Sequence, residues 1–444
     1  MTTSVGTRVV VLGLRATGDA VARLLHAEGA RVTVGDDAPG APGYAERVAS
    51  LRALGVVVED AGVDWATLVA GAQLVVPSPG VRPSHPAIVA AARTGIAIRS
   101  EVDLAAERIT SPLVAVTGTN GKTTVTELIT DMLRRSGCAV ECAGNIGSPL
   151  VTLVGVDAEV VVAEVSSFQL AFTTEHFRPR VAVLLNIADD HLDWHGSFAA
   201  YADAKAMLFA NQRDDDMLIV NAADGNARNL ARRSSARVTP VLAPTAPVAE
   251  LVLADGRPLV RVDDLPRSLP HDQINSLVAA EGAIAAGASL PDVRETLRTY
   301  TTRPHRVQLV AEAAGIRWYD DSKATNPHAA LQSIVAFDSV VLLAGGLNKG
   351  LDLEVLAEVA GHVRAVVAFG DAAGDVESAF TGVRPVEVAT SMEEVVDRAA
   401  RLAAAGDVVL LAPACASFDW YAGYDERGDD FSRCVIAHIA EATV

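Results

Sequence analysis

Lys122 and Thr123 close the run Gly118-Thr119-Asn120-Gly121-Lys122-Thr123. An apolar stretch, Leu113-Val-Ala-Val-Thr117, precedes it. After Thr124, Val125, Leu128, Ile129, Met132 and Leu133 recur at helical spacing. A glycine-rich turn between strand and helix lets backbone N–H groups converge on an anion, and the positive helix end adds to the pull. The lysine would meet terminal phosphates, and the threonine hydroxyl can ligate Mg²⁺. The run departs from G-x-x-x-x-G-K-[ST], because Val116 stands where the first glycine would be. An ordinary strand–helix turn therefore stays open on the residues alone.

Val160-Val-Val-Ala-Glu164-Val165 is a buried-strand pattern broken by a carboxylate. An unpaired buried carboxylate is costly, so Glu164 calls for a cation, and Mg²⁺ on nucleotide phosphates would supply it; a solvated strand end is the alternative. Val181-Ala-Val-Leu-Leu-Asn186 is another strand, followed by Asp189-Asp190-His191-Leu192-Asp193. Histidine beside that acidic cluster suits a metal or substrate role as well as a structural one. Lys205 lies in a helical run, Ala199 to Phe209, and by itself reads as a solvated surface lysine.

Further along, Pro304-His305-Arg306 offers a planar guanidinium suited to phosphate. Tyr319-Asp-Asp321-Ser-Lys323-Ala-Thr325-Asn-Pro327 gathers charge in one turn. Gly345-Gly-Leu-Asn-Lys349-Gly350 and Ala412-Pro-Ala-Cys-Ala-Ser417 each follow a buried strand, and Lys349 suits an acidic side chain or α-carboxylate. Cys415 invites a nucleophile reading, but no activating histidine lies near it in sequence.

These groups need strands to carry them. A chain of 444 residues exceeds one core, since single cores stop growing near ~250–300 residues. Strands alternate with helical patterns from Arg8-Val-Val-Val-Leu-Gly13 onward, and new units begin near Ile109 and near Arg303. Domain boundaries at 1–109, 110–302 and 303–444 follow. Small antiparallel strands are expected over 236–266 and a helix near 273–287. In open parallel sheets, ligands sit beyond the carboxyl ends of strands, where these turns lie.

Composition narrows the partners. The formal net charge of −18 disfavours nucleic acid. Four cysteines without a CxxC pair fit a reducing cytoplasm. Met1 to Val11 lacks a basic segment followed by a long apolar run, so a signal peptide is not expected. No uncharged apolar stretch reaches ~20 residues, so no membrane span is expected.

Thr117-Gly-Thr-Asn-Gly-Lys-Thr123, then Glu164-Val-Ser-Ser-Phe-Gln169, the Asn186–His191 segment, the helical Lys205, Asn275, Asp321-Ser-Lys-Ala-Thr-Asn326 and Arg427-Gly428 follow one another in order. This series resembles the Mur ligase family over nearly the whole chain, and most resembles the members that add D-glutamate to UDP-N-acetylmuramoyl-L-alanine. The resemblance implies an α/β fold of three domains: a Rossmann-like N-terminal domain, a central P-loop ATPase-type domain and a Rossmann-like C-terminal domain. It implies an ATP-dependent amide-bond-forming ligase working through an acyl phosphate, in peptidoglycan precursor synthesis and hence cell-wall biogenesis, cell shape and division. The enzyme would be a cytoplasmic monomer acting on small molecules.

By the same resemblance, Lys122, His191 and Lys205 are catalytic. Residues Gly118 to Thr124, Asn145, Asn275, Arg306, Asp321 and Lys323 bind ATP, with Asn275 at the adenine and Asp321 at the ribose. Lys205 would be carbamylated by CO₂. With Thr123, Glu164 and His191 it would then hold Mg²⁺, two ions in all. Thr17, Asp36, Ser78 and Gly80 would hold the uridine nucleotide, and Thr325, Lys349, Ser417 and Tyr424 would hold D-glutamate. One departure stands out: His271-Asp272 replaces the His-Asn usual in this branch. Two other readings remain, a folylpolyglutamate synthase of the same superfamily and a nucleotide-binding regulator or nicotinamide-dependent oxidoreductase. For the latter, Gly13-Leu-Arg15-Ala-Thr-Gly18 lacks the second glycine of the dinucleotide fingerprint.

Overall fold

The computed structural model describes residues 5–37, 40, 42–59, 62–244 and 246–442. They group into two compact units: Met1–Ile187, Trp194–Pro266 and Gln273–Tyr300 in the first, and Ala188–Asp193, Arg267–Asp272 and Thr301–Val444 in the second.

The first unit carries two parallel sheets. Strands β1 (Arg8–Leu12), β2 (Arg31–Gly35), β3 (Val57–Glu59), β4 (Leu74–Pro77) and β5 (Ala97–Ile98) pair in the order β3-β2-β1-β4-β5. Chain direction across the sheet reverses between β1 and β4, so the turns after those strands flank a crevice. The second sheet comprises β6 (Leu113–Thr117), β7 (Val140–Gly144), β8 (Val160–Glu164), β9 (Val181–Leu184), β10 (Met217–Asn221) and β11 (Arg237–Val241), in the order β11-β10-β9-β6-β8-β7. Every residue of β6, β8 and β9 is buried, which is why these strands read as continuous apolar runs. One apolar core joins the two sheets: Val21 and Leu25 lie in the same cluster as Leu150, Val151 and Val161.

The stretch 236–266 is not wholly antiparallel. Its first strand, β11, adds in parallel to β10, and only β12 (Glu250–Val252) and β13 (Pro258–Arg261) form an antiparallel pair. Pro240 lies in β11, at the sheet edge, where a missing N–H costs little. The helix expected near 273–287 runs from Pro270 to Ala285, because proline is tolerated in a first turn.

The second unit holds β14 (Gln308–Ala313), β15 (Ile316–Asp320), β16 (Val340–Gly345), β17 (Val363–Phe369), β18 (Val386–Ala389) and β19 (Val408–Ala414), in the order β14-β15-β19-β16-β17-β18. All pairs are parallel except β14 with β15. The buried strands β16 and β19 dominate the core, each fully buried valine or leucine contributing about 1.5–3 kcal/mol. The order brings the carboxyl ends of β15, β19 and β16 side by side, with Asp320 beside Leu411 and Gly345 beside Ala414.

Candidate active site

In the first unit, β6 ends in the turn Gly118–Gly121, and the helix Lys122–Arg135 begins directly after it. The turn is packed too closely for side chains at either glycine. A Cβ on Gly118 would lie 2.8 Å from the Leu185 Cβ, and one on Gly121, whose φ is +84°, 2.8 Å from the Asn275 Oδ1. Asn186 shapes the turn. Its carbonyl accepts from the Thr119 N–H at 2.8 Å, and its Oδ1 accepts from the Asn120 N–H at 2.8 Å. Lys122 Nζ donates to the carbonyls of Gly118 and Thr119, both at 2.8 Å, so its charge lies against the turn. In the sequence Asn186 is only a strand end; a polar residue closing an apolar strand is the available signal.

Beside this turn, Glu164 ends β8, paired in register with Val116 and Gly144. Its side chain is 2% exposed. Oε1 accepts from Asn145 Nδ2 at 2.7 Å, whereas Oε2 has no hydrogen-bond partner among the described residues. A buried carboxylate oxygen left unpaired is a place for a cation, and the donor set fits Mg²⁺. The residues after it do structural work. Ser166 and Gln169 form a capping box on the helix Ser167–Leu170, with the Ser166 N–H donating to Gln169 Oε1 at 2.9 Å.

Lys205 is not a surface residue: it is 1% exposed. Its Nζ donates to the Gly118 carbonyl at 2.8 Å and lies 4.7 Å from the centroid of the Tyr201 ring. The Tyr201 hydroxyl meets Thr119 Oγ1 at 2.9 Å. Lys205, Tyr201 and Lys122 thus all converge on one turn, and Glu164 ends the strand next to the one that feeds it.

At the nucleotide-fingerprint-like turn after β1, Gly18 must be glycine, since a Cβ there would overlap the Gly13 carbonyl oxygen. Asp36 Oδ2 accepts from the Leu14 N–H at 2.5 Å, and Ser78 Oγ donates to the Gly13 carbonyl at 3.2 Å. Thr17 is half-buried on the helix Ala16–Ala27. Gly80, with φ +97°, accepts from Trp194 Nε1 at 3.3 Å. The turns holding Asp36 and Ser78 are therefore tied together at the crevice.

In the second unit, three strand ends meet. Lys323 Nζ lies 3.8 Å from the Tyr424 ring centroid, and Ser322 Oγ donates to the Tyr424 carbonyl at 2.7 Å. Leu347 and Ala416 exchange backbone hydrogen bonds at 2.8 and 3.1 Å, joining the turn that carries Lys349 to the one that carries Ser417. Ser417 is buried, and Lys349 and Thr325 are half-buried.

The residue that organises this cluster, Arg427, stands in the sequence motif with no role of its own. It is fully buried. It donates to Ser322 Oγ and the Ser322 carbonyl, both at 2.9 Å, and to the carbonyls of Cys415 and Ala416 at 3.2 Å. Burial pulls its guanidinium down to about 10. Gly428 follows because a Cβ there would strike His305 Nδ1. Burial pushes the Cys415 thiol up to about 12, which agrees with no nucleophilic role.

His191 groups with the second unit. It has a left-handed φ of +53°, and its N–H donates to Asp190 Oδ1 at 2.9 Å. Asp190 Oδ2 also accepts from Asn326 Nδ2 at 3.3 Å. Arg306 sits between two further left-handed residues, His305 at φ +61° and Val307 at φ +47°. Such conformations cost about 1–3 kcal/mol each outside glycine. Asp321 is buried, with Oδ1 accepting from the Val307 N–H at 3.3 Å and Oδ2 bonded by Ser333 Oγ.

Comparison with known proteins shows the family of the chain. Residues 7–100 match the Mur ligase MurD-like N-terminal domain, residues 116–243 the Mur ligase middle domain, and residues 305–415 the Mur ligase glutamate ligase domain. The curated UDP-N-acetylmuramoylalanine--D-glutamate ligase of Desulfosudis oleivorans is 41% identical over 449 residues, covering 96% of each chain. Its counterpart from Frankia casuarinae is 43% identical over 458 residues, covering 98% of this chain and 96% of the relative. Among solved structures, a pseudomurein peptide ligase type C from Methanothermus fervidus superposes with a TM-score of 0.60 at 17% identity, covering 98% of this chain and 100% of that one. MurF from Acinetobacter baumannii does so with a TM-score of 0.60 at 18% identity, covering 96% and 93%. At these identities the structures attest the fold alone. With a full-length likeness above 40% identity and all three domain types matched in order, the chain belongs to the Mur ligase family.

Proposed function

We propose that this chain is an ATP-dependent ligase that adds D-glutamate to UDP-N-acetylmuramoyl-L-alanine in peptidoglycan precursor synthesis. The observation that carries the reading is the unpartnered Oε2 of buried Glu164 beside a glycine-lined turn holding Lys122. The full-length relatives named for this reaction support the choice of substrates.

In this reading a carboxylate oxygen of the alanyl group attacks the γ-phosphorus of ATP, and ADP departs. The amine of D-glutamate then attacks the acyl carbon and loses a proton, and the carbon–oxygen bond to phosphate breaks as phosphate leaves with its electron pair. Lys122 swings from the carbonyls of its own turn to the transferring phosphoryl group, and Asn275 holds the adenine. Two Mg²⁺, held through Thr123, Glu164 and a carbamate on Lys205, would offset charge on the phosphates. A carbamate keeps one N–H, so the bond from Lys205 to the Gly118 carbonyl survives the modification. Asn145 acts by orienting Glu164, and His191 orients the acceptor.

Thr17, Asp36, Ser78 and Gly80 serve the uridine nucleotide. Arg306, Asp321 and Lys323 serve ATP, and Thr325, Lys349, Ser417 and Tyr424 serve D-glutamate. Domain boundaries at 109/110 and 302/303, a monomeric state and a cytoplasmic site of action belong to the same reading. Product mass analysis with ATP, Mg²⁺, the UDP precursor and a panel of amino acids tests it. The expected product gains one glutamyl residue from the D-isomer alone. Turnover of a folate acceptor with L-glutamate instead would overturn the reading.

A further inference from the structure

The two left-handed residues around Arg306 need an agent that holds them. For β-branched Val307 this conformation is a genuine outlier, so the surroundings must impose it. The His305 ring is fixed by Asp320, with Nδ1 and Oδ2 at 2.6 Å, and the His305 carbonyl accepts from the Lys323 N–H at 3.2 Å. The carbonyls of Arg306 and Val307 both point at Arg267, whose Nη1 donates to each, at 3.3 Å to the latter.

Arg267 is itself locked. Its Nε and Nη2 form a two-pronged ion pair with Asp272, at 2.7 and 2.6 Å, and Asp272 Oδ2 also accepts from the Leu269 N–H at 3.2 Å. Asp272 is buried and the Arg267 side chain is only 23% exposed. Two carboxylate oxygens fix the guanidinium plane and leave the remaining edge for the two carbonyls. An asparagine at 272 would offer one acceptor and no charge. Asp272 therefore has a physical partner, an arginine five residues upstream.

We propose that Arg267, braced by Asp272, is a positioning residue for Arg306. It holds the strained turn closed, so that the Arg306 guanidinium is already set for the phosphates of a bound nucleotide. Without the brace the peptide units on either side of Arg306 relax to ordinary conformations and turn its side chain away. The inference rests on the reading of Arg306 as an ATP ligand.

The test compares Arg267→Ala, Arg267→Lys, Asp272→Asn and Arg306→Ala in the full chain. It measures KM for ATP, D-glutamate and the UDP substrate, with hydrogen exchange at the Val307 amide. Arg267→Ala should raise KM for ATP on the order of tenfold, leave KM for the UDP substrate unchanged, and speed exchange at Val307. Val307→Gly, which accepts a positive φ freely, should shrink the effect of Arg267→Ala in the double variant. A purely structural arginine would lower Tm and active fraction without singling out ATP. Should Arg267→Ala fail to fold, Arg267→Lys and Asp272→Asn carry the same comparison. An unchanged KM for ATP in folded Arg267 variants, with a raised one in Arg306→Ala, overturns the positioning role alone. An unchanged KM in Arg306→Ala overturns the ATP role of Arg306, and the inference falls with it.

Discussion

Lys205 donates to the carbonyl of Gly118 across 87 residues of sequence, at 2.8 Å and out of contact with water. A buried lysine fixed to the first glycine of the Gly118–Gly121 turn is not placed there for solubility. Its spacing in a helical run makes it look like a surface residue, yet the helix Phe198–Ala206 turns it inward with Tyr201.

The first prediction concerns that lysine. Lys205→Arg keeps the charge but cannot form the carbamate, so turnover should fall below detection while the fold persists. Carbon-13 spectra of the unsubstituted protein in labelled bicarbonate should show a carbamate resonance that is absent from the variant. Full activity in Lys205→Arg would remove the carbamate from the scheme.

Glu164→Gln separates stability from activity. The side chain is buried with one carboxylate oxygen unpartnered, an arrangement that costs stability unless a cation is present. The glutamine removes the charge and can keep the bond from Asn145. Metal-free Tm should therefore hold or rise, while Mg²⁺ no longer raises it and kcat drops by about 10²-fold or more. A metal-free Tm that falls by several degrees would show that Glu164 is already satisfied without a cation.

Arg427→Leu tests the cluster in the second unit. Deleting the guanidinium leaves the carbonyls of Ser322 and Cys415 without it, at about 1–3 kcal/mol for each buried acceptor left unsatisfied, whereas Ala416 keeps its bond from the Leu347 N–H. Denaturant titration should show a loss of about 2 kcal/mol or more. Arg427→Lys should retain part of the stability but raise KM for D-glutamate, because one ammonium cannot hold both turns. An unchanged KM in a folded lysine variant would separate Arg427 from the amino-acid site.

Much of this is legible in the sequence, for identifiable reasons. Doubly buried parallel strands such as β6, β8, β16 and β19 write themselves as apolar runs, and the turns after them hold many of the candidate site residues. The β14–β15 hairpin is not legible, because Glu312 and Arg317 interrupt its pattern at a sheet edge. Nor is Arg427: a buried arginine whose partners are backbone carbonyls leaves no acidic residue to announce it. Asp272 reads as a harmless departure, since Arg267 gives no reason to be noticed until the fold brings it to the turn at Arg306.

The last prediction concerns pH. Burial, only partly offset by Ser333 and Arg306, pushes the Asp321 carboxyl up from 3.8 to about 7. In the unfolded chain it loses its proton near the ordinary value, so between about 4 and 7 the folded state binds the extra proton. Its contribution to stability is thus fully present below the unfolded value and is lost as pH rises through about 7. The amide introduced by Asp321→Asn does not titrate, and it can still bond Ser333. Thermal melts of Asp321→Asn and the unsubstituted protein at pH 5 and pH 8 decide the matter. The difference in Tm, variant minus parent, should be more positive at pH 8, because only the parent then carries a buried ionised carboxylate. A difference that is the same at both pH values would mean that Asp321 ionises at its usual pH, with Arg306 compensating its charge fully.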